Sequence, residues 1–486
     1  MRLKSLIVPV GIALLCAFMG QFTVVYVGAV SDSLIRVALL PLVIILMLVL
    51  VTDKQHLFLL IMLFRTIGDP IFDAAKFTLG GLSIGVGALV NALMILIALM
   101  YVIERPVNQV RHSIPLWAPV LLLVILASAF RSPDHVNALR TVLVLVSYGA
   151  VFLVPFYLRK ENDGIRFSIN IVLLSSLLPA LYAFFDIATG WGQGGVDGFR
   201  LKSSFSHANI FAFYLLLVVS LLFYQLKDKA QPLSPVNRLL FVSYLFLLLA
   251  FLVLTKTRSA WLACFLIFGI YGLRHERRLL VYLVLAPLLA LLLPDVRDRL
   301  LDLTADNVYD PYAQLNSFDW RVEIWKSGLA WMKPMSLLIG NGLDSFAFTS
   351  PQFFALAGDK NFGAHNVYVQ WFFETGLVGI SFFVWVFYKL LYRLSRRFAS
   401  DSAGTTIVIS LVIAYLLVCA SDNMVDYLSF NWYFWFICGT FCSAAMVTGR
   451  VPGPVSVTAA VPDIVELTPM QRRQQARAGR PVGGLG

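Results

Sequence analysis

The chain opens on a long apolar stretch and repeats the pattern to its end: runs of 15 to 25 apolar residues, separated by short polar punctuation. A bilayer's hydrocarbon core needs about 20 apolar residues per helix. On that measure the runs predict helices over 5–30, 34–51, 57–76, 82–103, 115–130, 136–158, 167–189, 210–225, 239–254, 259–273, 279–294, 366–388, 405–422 and 430–447. The third is interrupted by Arg65, Asp69, Pro70, Asp73 and Lys76, which fits a short or re-entrant element lined by protein. Barrel strands alternate apolar and polar over about ten residues, whereas Val37–Val51 is apolar throughout. The fold class expected is an all-α integral membrane protein, a polytopic bundle of about 12–14 transmembrane helices. The first run exceeds a secretory h-region and is followed at once by a second span, so it is read as a retained helix.

Composition agrees. Of 486 residues, 59% are hydrophobic and 13% charged, against about a quarter charged in soluble domains. A soluble enzyme and a disordered chain are excluded. The net charge of +11 becomes a topology signal once the spans are drawn. With the N-terminus inside, the inner segments hold 23 of the 38 Lys and Arg but 9 of the 27 Asp and Glu, as the positive-inside rule requires. Both termini then lie in the cytoplasm, and no nucleic-acid partner is implied. The five cysteines, Cys16, Cys264, Cys419, Cys438 and Cys442, all fall in apolar runs and read as buried small residues rather than metal ligands. From Gly449 onward the chain is rich in Pro, Gly, Gln and Arg. Domains are therefore expected as a transmembrane domain, 1–448, and a disordered cytoplasmic tail, 449–486, whose arginines either touch anionic headgroups or merely keep it soluble.

Two outer segments carry most of the polar weight. Thr189–Asn209 is glycine-rich, then basic, then polar. The second, about 295–365, is a large loop expected to carry short helices. Its Trp320, Ile324, Trp325, Leu329 and Met332 follow helical spacing, a stripe suited to the membrane surface.

Three outer features could carry chemistry. Arg200 and Lys202 precede Ser206-His207-Ala208-Asn209 at the mouth of a helix. Thr255-Lys256-Thr257-Arg258-Ser259 is squeezed between two apolar runs, costly for a charge that lacks a partner or ligand. Gly363-Ala364-His365-Asn366 leads into a span that carries Glu374. Arg200, Arg258 and Arg321 could converge on one anion, since the guanidinium fork suits phosphate oxygens. They could equally pair with outer carboxylates. His365 is a candidate base or a satisfied helix cap. His207 reads better as part of a helix N-terminus. Glu374 is a functional candidate by virtue of depth, and could orient an Arg or His.

Five stretches in this order resemble the O-antigen ligase and O-antigen polymerase superfamily of bacterial envelope enzymes: Arg200 followed by FSHAN at 205–209; LTKTRSAWLA at 254–263; Trp320-Arg321 with Trp325; LLIGNGLDSF at 337–346; and HNVYVQWFFETGLVG at 365–379. The resemblance covers about 165–390. Where the family often has Pro before the first Asn, this chain has Ala208. The resemblance implies a GT-C-like inverting glycosyltransferase of the bacterial inner membrane with a periplasmic active site. Its donor would be a glycan on undecaprenyl pyrophosphate. Its acceptor would be a sugar hydroxyl on a growing chain or on lipid A–core. The family's histidine maps to His365 and its loop-to-helix arginine to Arg258, as catalytic residues. Arg200, Arg321, Lys202, Asn366 and Glu374 are the expected donor- and glycan-binding set. No metal and no cofactor is expected. Partners would include the bilayer and, beyond the substrates, a chain-length regulator or a flippase. The expectation taken is polymerisation of O-antigen or exopolysaccharide units, with ligation to lipid A–core as the alternative. The rival of another class is a lipid-linked-glycan flippase, which should show related halves and midplane charges.

Overall fold

A computed structural model describes residues 49–50, 52–69, 76–79, 82–104, 117–158, 164–190, 199–228, 230–290 and 317–448. The expected span 5–30, nearly all of 34–51, the first part of the large loop and the tail lie outside the described residues.

The helices of the first half are α1 (Lys54–Phe64), α2 (Val86–Ile103), α3 (Trp117–Arg131), α4 (His135–Leu153), α5 (Gly164–Ser175) and α6 (Leu177–Thr189). Then come α7 (Ala208–Lys227), α8 (Pro235–Leu254), α9 (Arg258–Arg274) and α10 (Arg278–Ala290). The large loop contributes α11 (Ser317–Trp331), α12 (Pro334–Ile339) and α13 (Ser345–Phe353). The chain re-enters the bundle through α14 (Val367–Ser395), α15 (Ser402–Val418) and α16 (Leu428–Thr448). Six described segments are long and apolar enough to cross a membrane: Val86–Ile103, His135–Phe156, Gly164–Thr189, Ala208–Lys227, Pro235–Leu254 and Val367–Ser395. The chain is an α-helical polytopic membrane protein.

Local chemistry sets many boundaries. Asp53, Asp134, Ser234 and Asp401 accept backbone N–H bonds at the starts of α1, α4, α8 and α15. Pro235 stands at the first position of α8, where its missing N–H costs nothing. Gly190, left-handed at φ 68°, ends α6.

Two expectations change. The run 57–76 is not one span: α1 stops at Phe64, tightens into a 3-10 turn over Arg65–Ile67, and a short antiparallel hairpin follows, β1 (Lys76–Leu79) with β2 (Leu82–Gly85). The sequence alternates there and carries Gly80-Gly81 between the strands, a hairpin signal inside an apolar run. The bundle is thus all-α except for this ribbon among the described residues. The second change concerns the stripe on α11. Ile324 and Met332 are buried with Phe346, Phe354 and Phe373, and Trp320 and Trp325 pack on that cluster. Leu329 is left exposed. The stripe builds a small core of its own, because Phe346, Phe354 and Phe373 offer it an apolar partner.

The main core sits on α7 and α16. Of the candidate spans α7 is 83% buried and α8 only 17%, so α7 is a central helix and α8 a lipid-facing one. Trp432, Tyr433, Phe434 and Phe436 of α16 are fully enclosed. Several polar side chains at this depth bond one another, as hydrocarbon favours. The Trp432 indole donates to Ser147 Oγ at 3.0 Å, Tyr415 OH to Asn431 Oδ1 at 3.0 Å, and Asn431 Nδ2 to the Met424 carbonyl at 2.6 Å.

The glycines of the fourth and fifth motifs make one joint. Gly376, at φ 66° and ψ −166°, breaks α14. A Cβ there would stand 2.4 Å from Leu338 C, and one at Gly340 would stand 2.1 Å from Glu374 O. Asn341 N–H and Gly342 N–H donate to the Phe373 and Glu374 carbonyls at 2.9 and 3.0 Å. The loop is thereby laid backbone-to-backbone on the kink. Gly376→Ala is expected to add about 1–3 kcal/mol of backbone strain and a steric cost of similar size. Loss of monodisperse protein and a lowered unfolding temperature in detergent would register it; wild-type stability would show that the kink relaxes.

Candidate active site

The site is assembled from the polar ends of several helices. Between α8 and α9 the chain turns with almost no loop. Thr255 N–H and Lys256 N–H close on the Phe251 and Val253 carbonyls, and Lys256 takes a left-handed φ of 52°. Arg200 fastens this turn to the mouth of α7. Its Nε donates to the Thr255 carbonyl at 3.1 Å, and its Nη2 to Asn209 Oδ1 at 2.7 Å and Thr257 Oγ1 at 3.2 Å. Arg258 is the first residue of α9, half-buried beside Thr257.

Asn209 passes the link on. Its Nδ2 donates to Asp422 Oδ2 at 2.8 Å. Tyr427 OH donates a very short bond to the other oxygen of the same carboxylate. Asp422 is 3% exposed, between α15 and α16. On its far side Arg321 of α11 donates to the Ser421 carbonyl at 2.6 Å.

His365 stands beside this group. Helix α11 frames it: the Trp320 ring lies 6.2 Å from the imidazole, and Trp325 Nε1 donates to the Ala364 carbonyl at 2.6 Å. On the other side Val367 N–H reaches the Cys419 carbonyl at 2.8 Å. The residue is pinned at φ 49°, a left-handed conformation that histidine visits more often than most residues. The described non-glycine residues with positive φ are Ser203, Lys256, Asp344 and His365, and all fall in or beside the motif stretches. Backbone strain of this kind clusters at functional sites.

Burial chiefly, and the Arg321 charge next, depress the His365 pKa, while Asp422 opposes them. His207 is likewise depressed by burial and Arg200, with Asp422 again opposing and His365 adding to the depression. Both imidazoles are therefore neutral at neutral pH, and the two histidines, Asp422, Arg200 and Arg321 lie within one electrostatic neighbourhood. The N-termini of α7, α9 and α14 open onto it, favouring an anion.

The other expected residues divide. Asn366 caps α14, its Oδ1 accepting from Tyr368 N–H at 3.0 Å and Val369 N–H at 3.2 Å. His207 caps α7, with Nδ1 accepting from Asn209 N–H at 3.1 Å. Lys202 faces Asp186, whose carboxylate also accepts from Ser203 N–H at 2.8 Å. Glu374 is buried next to the glycine joint, facing the backbone N–H groups of Asp344 and Phe346 at the start of α13. Arg200, Arg321 and His365 are brought together around Asp422; Lys202 and Glu374 are directed elsewhere.

Asp422 was not singled out from sequence. The signal is present: Ser421-Asp422-Asn423 is a polar group at the end of an apolar run, the same pattern as the turn that carries Arg258.

Residues 243–384 match the family model described as O-antigen ligase. The resemblance to the O-antigen ligase and polymerase superfamily is thereby shown. The match takes in the turn with Arg258, Trp320-Arg321, the glycine joint and the stretch beginning at His365; the first motif, with Arg200, precedes it. No curated protein matches the chain.

Proposed function

We propose that this protein is a glycosyltransferase of the inner membrane that moves a glycan from undecaprenyl pyrophosphate onto an acceptor sugar hydroxyl at the periplasmic face. One observation carries the reading: a neutral, half-buried imidazole beside a buried carboxylate, with Arg200 and Arg321 on either side and Arg258 at the adjoining helix start. His365 takes the acceptor proton as the hydroxyl oxygen bonds to the anomeric carbon. The bond from that carbon to the pyrophosphate oxygen breaks, and the lipid pyrophosphate leaves with the electron pair. Attack opposite the leaving group inverts the anomeric centre. Arg258, with Arg200 and Arg321, stabilises the departing charge. Asn366, by capping α14, fixes the backbone next to His365. Lys202 and Glu374 serve the site from a distance, one through the 199–209 loop and the other through the glycine joint. We carry forward the polymerising reaction, with a growing glycan as acceptor.

The test is purified protein in nanodiscs given an undecaprenyl-pyrophosphate-linked repeat unit. Expected products are lengthened glycan and free undecaprenyl pyrophosphate. Absence of both, with repeat unit and with lipid A–core as acceptor, would overturn the reading. A deletion strain separates the reactions: loss of long chains means polymerase, and intact lipid-linked polymer that never attaches means ligase.

Sidedness has its own check. A reporter fused near Asp310 is expected to read periplasmic and one near Arg277 cytoplasmic; reversed signals would put the histidine on the wrong face.

Asp422 yields a pH prediction. Its charge holds the His365 pKa up against burial and Arg321. In Asp422→Asn the imidazole pKa falls further. Since the base works when neutral, the acid limb of the rate profile should move to lower pH. The lost charge-assisted bonds from Asn209 and Tyr427 should also cost about 1.5–3 kcal/mol of stability each. An unmoved acid limb would leave Asp422 with a purely structural role.

A further inference from the structure

A cavity with a largely apolar lining and a cluster of polar side chains adjoins the candidate active site. It encloses about 450 Å³, within the range that takes small organic ligands. Its polar wall comes from five separate elements: Arg65 and Asp69 after α1, Asn91 of α2, Arg140 of α4, Asp426 before α16 and Ser429 within it. Its apolar wall includes Leu143, Val144, Ile210 and Leu428.

The polar groups are held, not loose. Arg65 and Asp69 are both buried and paired at 2.6 Å, and the Arg65 guanidinium lies 5.4 Å from the centre of the Trp432 ring. Ser429 Oγ donates to both Asp69 oxygens, at 2.7 and 2.9 Å. Arg140 Nη1 donates to Asn137 Oδ1 at 2.8 Å. Asp426 lines the cavity. Its surroundings, burial first and then the charges of Asp344 and Asp422, push its pKa up to about 7.

This lining selects a chemical class. Arg65 and Asp69 neutralise each other, Arg140 is bonded to Asn137, and Asp426 is only about half ionised at neutral pH, so the wall concentrates no charge for an ionic ligand. It offers closely spaced donors and acceptors opposite an aliphatic face, which matches the hydroxyl edge and C–H face of a pyranose. A pyrophosphate would meet Asp69 and Asp426 here, whereas the arginines of the other site suit it. The two sites also touch. Ser206 lines the cavity and precedes His207, and Asp426 precedes Tyr427, which bonds Asp422. We propose that this cavity binds a neutral sugar residue of the acceptor glycan and sets which hydroxyl meets His365. The inference rests on the glycosyltransferase reading for its role, and on the cavity alone for binding.

The test uses the full-length protein in nanodiscs and saturation-transfer NMR, with glucose, galactose, mannose, rhamnose and N-acetylglucosamine as probes. At least one should receive saturation above protein-free nanodiscs. Ala88 lines the cavity; Ala88→Phe should fill it and lower that signal at least about five-fold. Asp426→Asn should weaken binding about ten-fold, the scale of one lost hydrogen bond to a charged group. Both variants are compared at wild-type unfolding temperature, and Asn91→Ala substitutes for either that fails to fold. His365→Ala should keep the sugar signal. No probe binding, an undiminished signal in Ala88→Phe, or displacement of the sugar by inorganic pyrophosphate would overturn the proposal. The two readings fail separately: sugar binding blocked by Ala88→Phe without any transfer activity leaves the cavity and removes the enzyme, and transfer without blockable sugar binding does the reverse.

Discussion

Arg258→Ala is expected to abolish transfer while the protein still folds and inserts. The residue begins α9 directly after a tight turn, next to Thr257, whose hydroxyl donates to Asn209 Oδ1 at 3.2 Å. A guanidinium at that helix start is placed to meet charge that develops in the transition state. The departing pyrophosphate supplies that charge at the moment the anomeric bond breaks. Removing one preorganised group that stabilises developing charge typically costs about 10²–10³ in kcat. Arg258→Lys should recover little, because an ammonium is a point charge and cannot bond two oxygens in one plane. Steady-state transfer and donor binding, measured on both variants in nanodiscs, separate the effects. Near-normal kcat in either would return Arg258 to a role in seating α9.

Much of the architecture could be read along the chain, because a membrane helix is a local object: its length is set by the bilayer and its backbone bonds close within the segment. Expected spans such as 210–225, 239–254 and 259–273 fall inside α7, α8 and α9. Local cap chemistry was equally readable, as with His207 and the start of α7. What the chain did not disclose is non-local. The run 57–76 looked like an interrupted span because hydropathy does not see that Arg65 and Asp69 neutralise each other beneath Ser429, some 360 residues away. The α11 stripe looked surface-bound because its partners, Phe346, Phe354 and Phe373, lie on later elements. Glu374 stood out by depth, yet it faces the start of α13 through a kink that only the glycine contacts reveal. Asp422 illustrates the converse. Nothing in its own stretch says that Asn209 and Tyr427 will hold it between two histidines. Folding made it the hub, by bringing three inter-helix turns onto one carboxylate.

His365→Ala is expected to lose transfer by about 10²–10⁴-fold, the usual worth of a positioned general base, while donor binding persists. A sugar hydroxyl is a poor nucleophile at neutral pH, so its proton must have somewhere to go as the oxygen attacks. The His365 ring meets that need in three respects. It is neutral, since burial and Arg321 keep its pKa below the ordinary value. Its backbone is fixed on both sides, by Trp325 on Ala364 and by Val367 on Cys419. It stands beside Asp422, whose charge favours the imidazolium once the proton arrives. His207 shares the neighbourhood but has its Nδ1 committed to the Asn209 N–H. His207→Ala should therefore act as a cap deletion, costing about 1 kcal/mol of stability, with kcat reduced far less than in His365→Ala. The comparison controls for folding, because both variants remove an imidazole from the same pocket. Donor binding and turnover measured separately on the two decide the matter. Normal turnover in His365→Ala, or a dead His207→Ala that still folds, would move the base from the start of α14 to the start of α7, and with it the face from which the acceptor must approach.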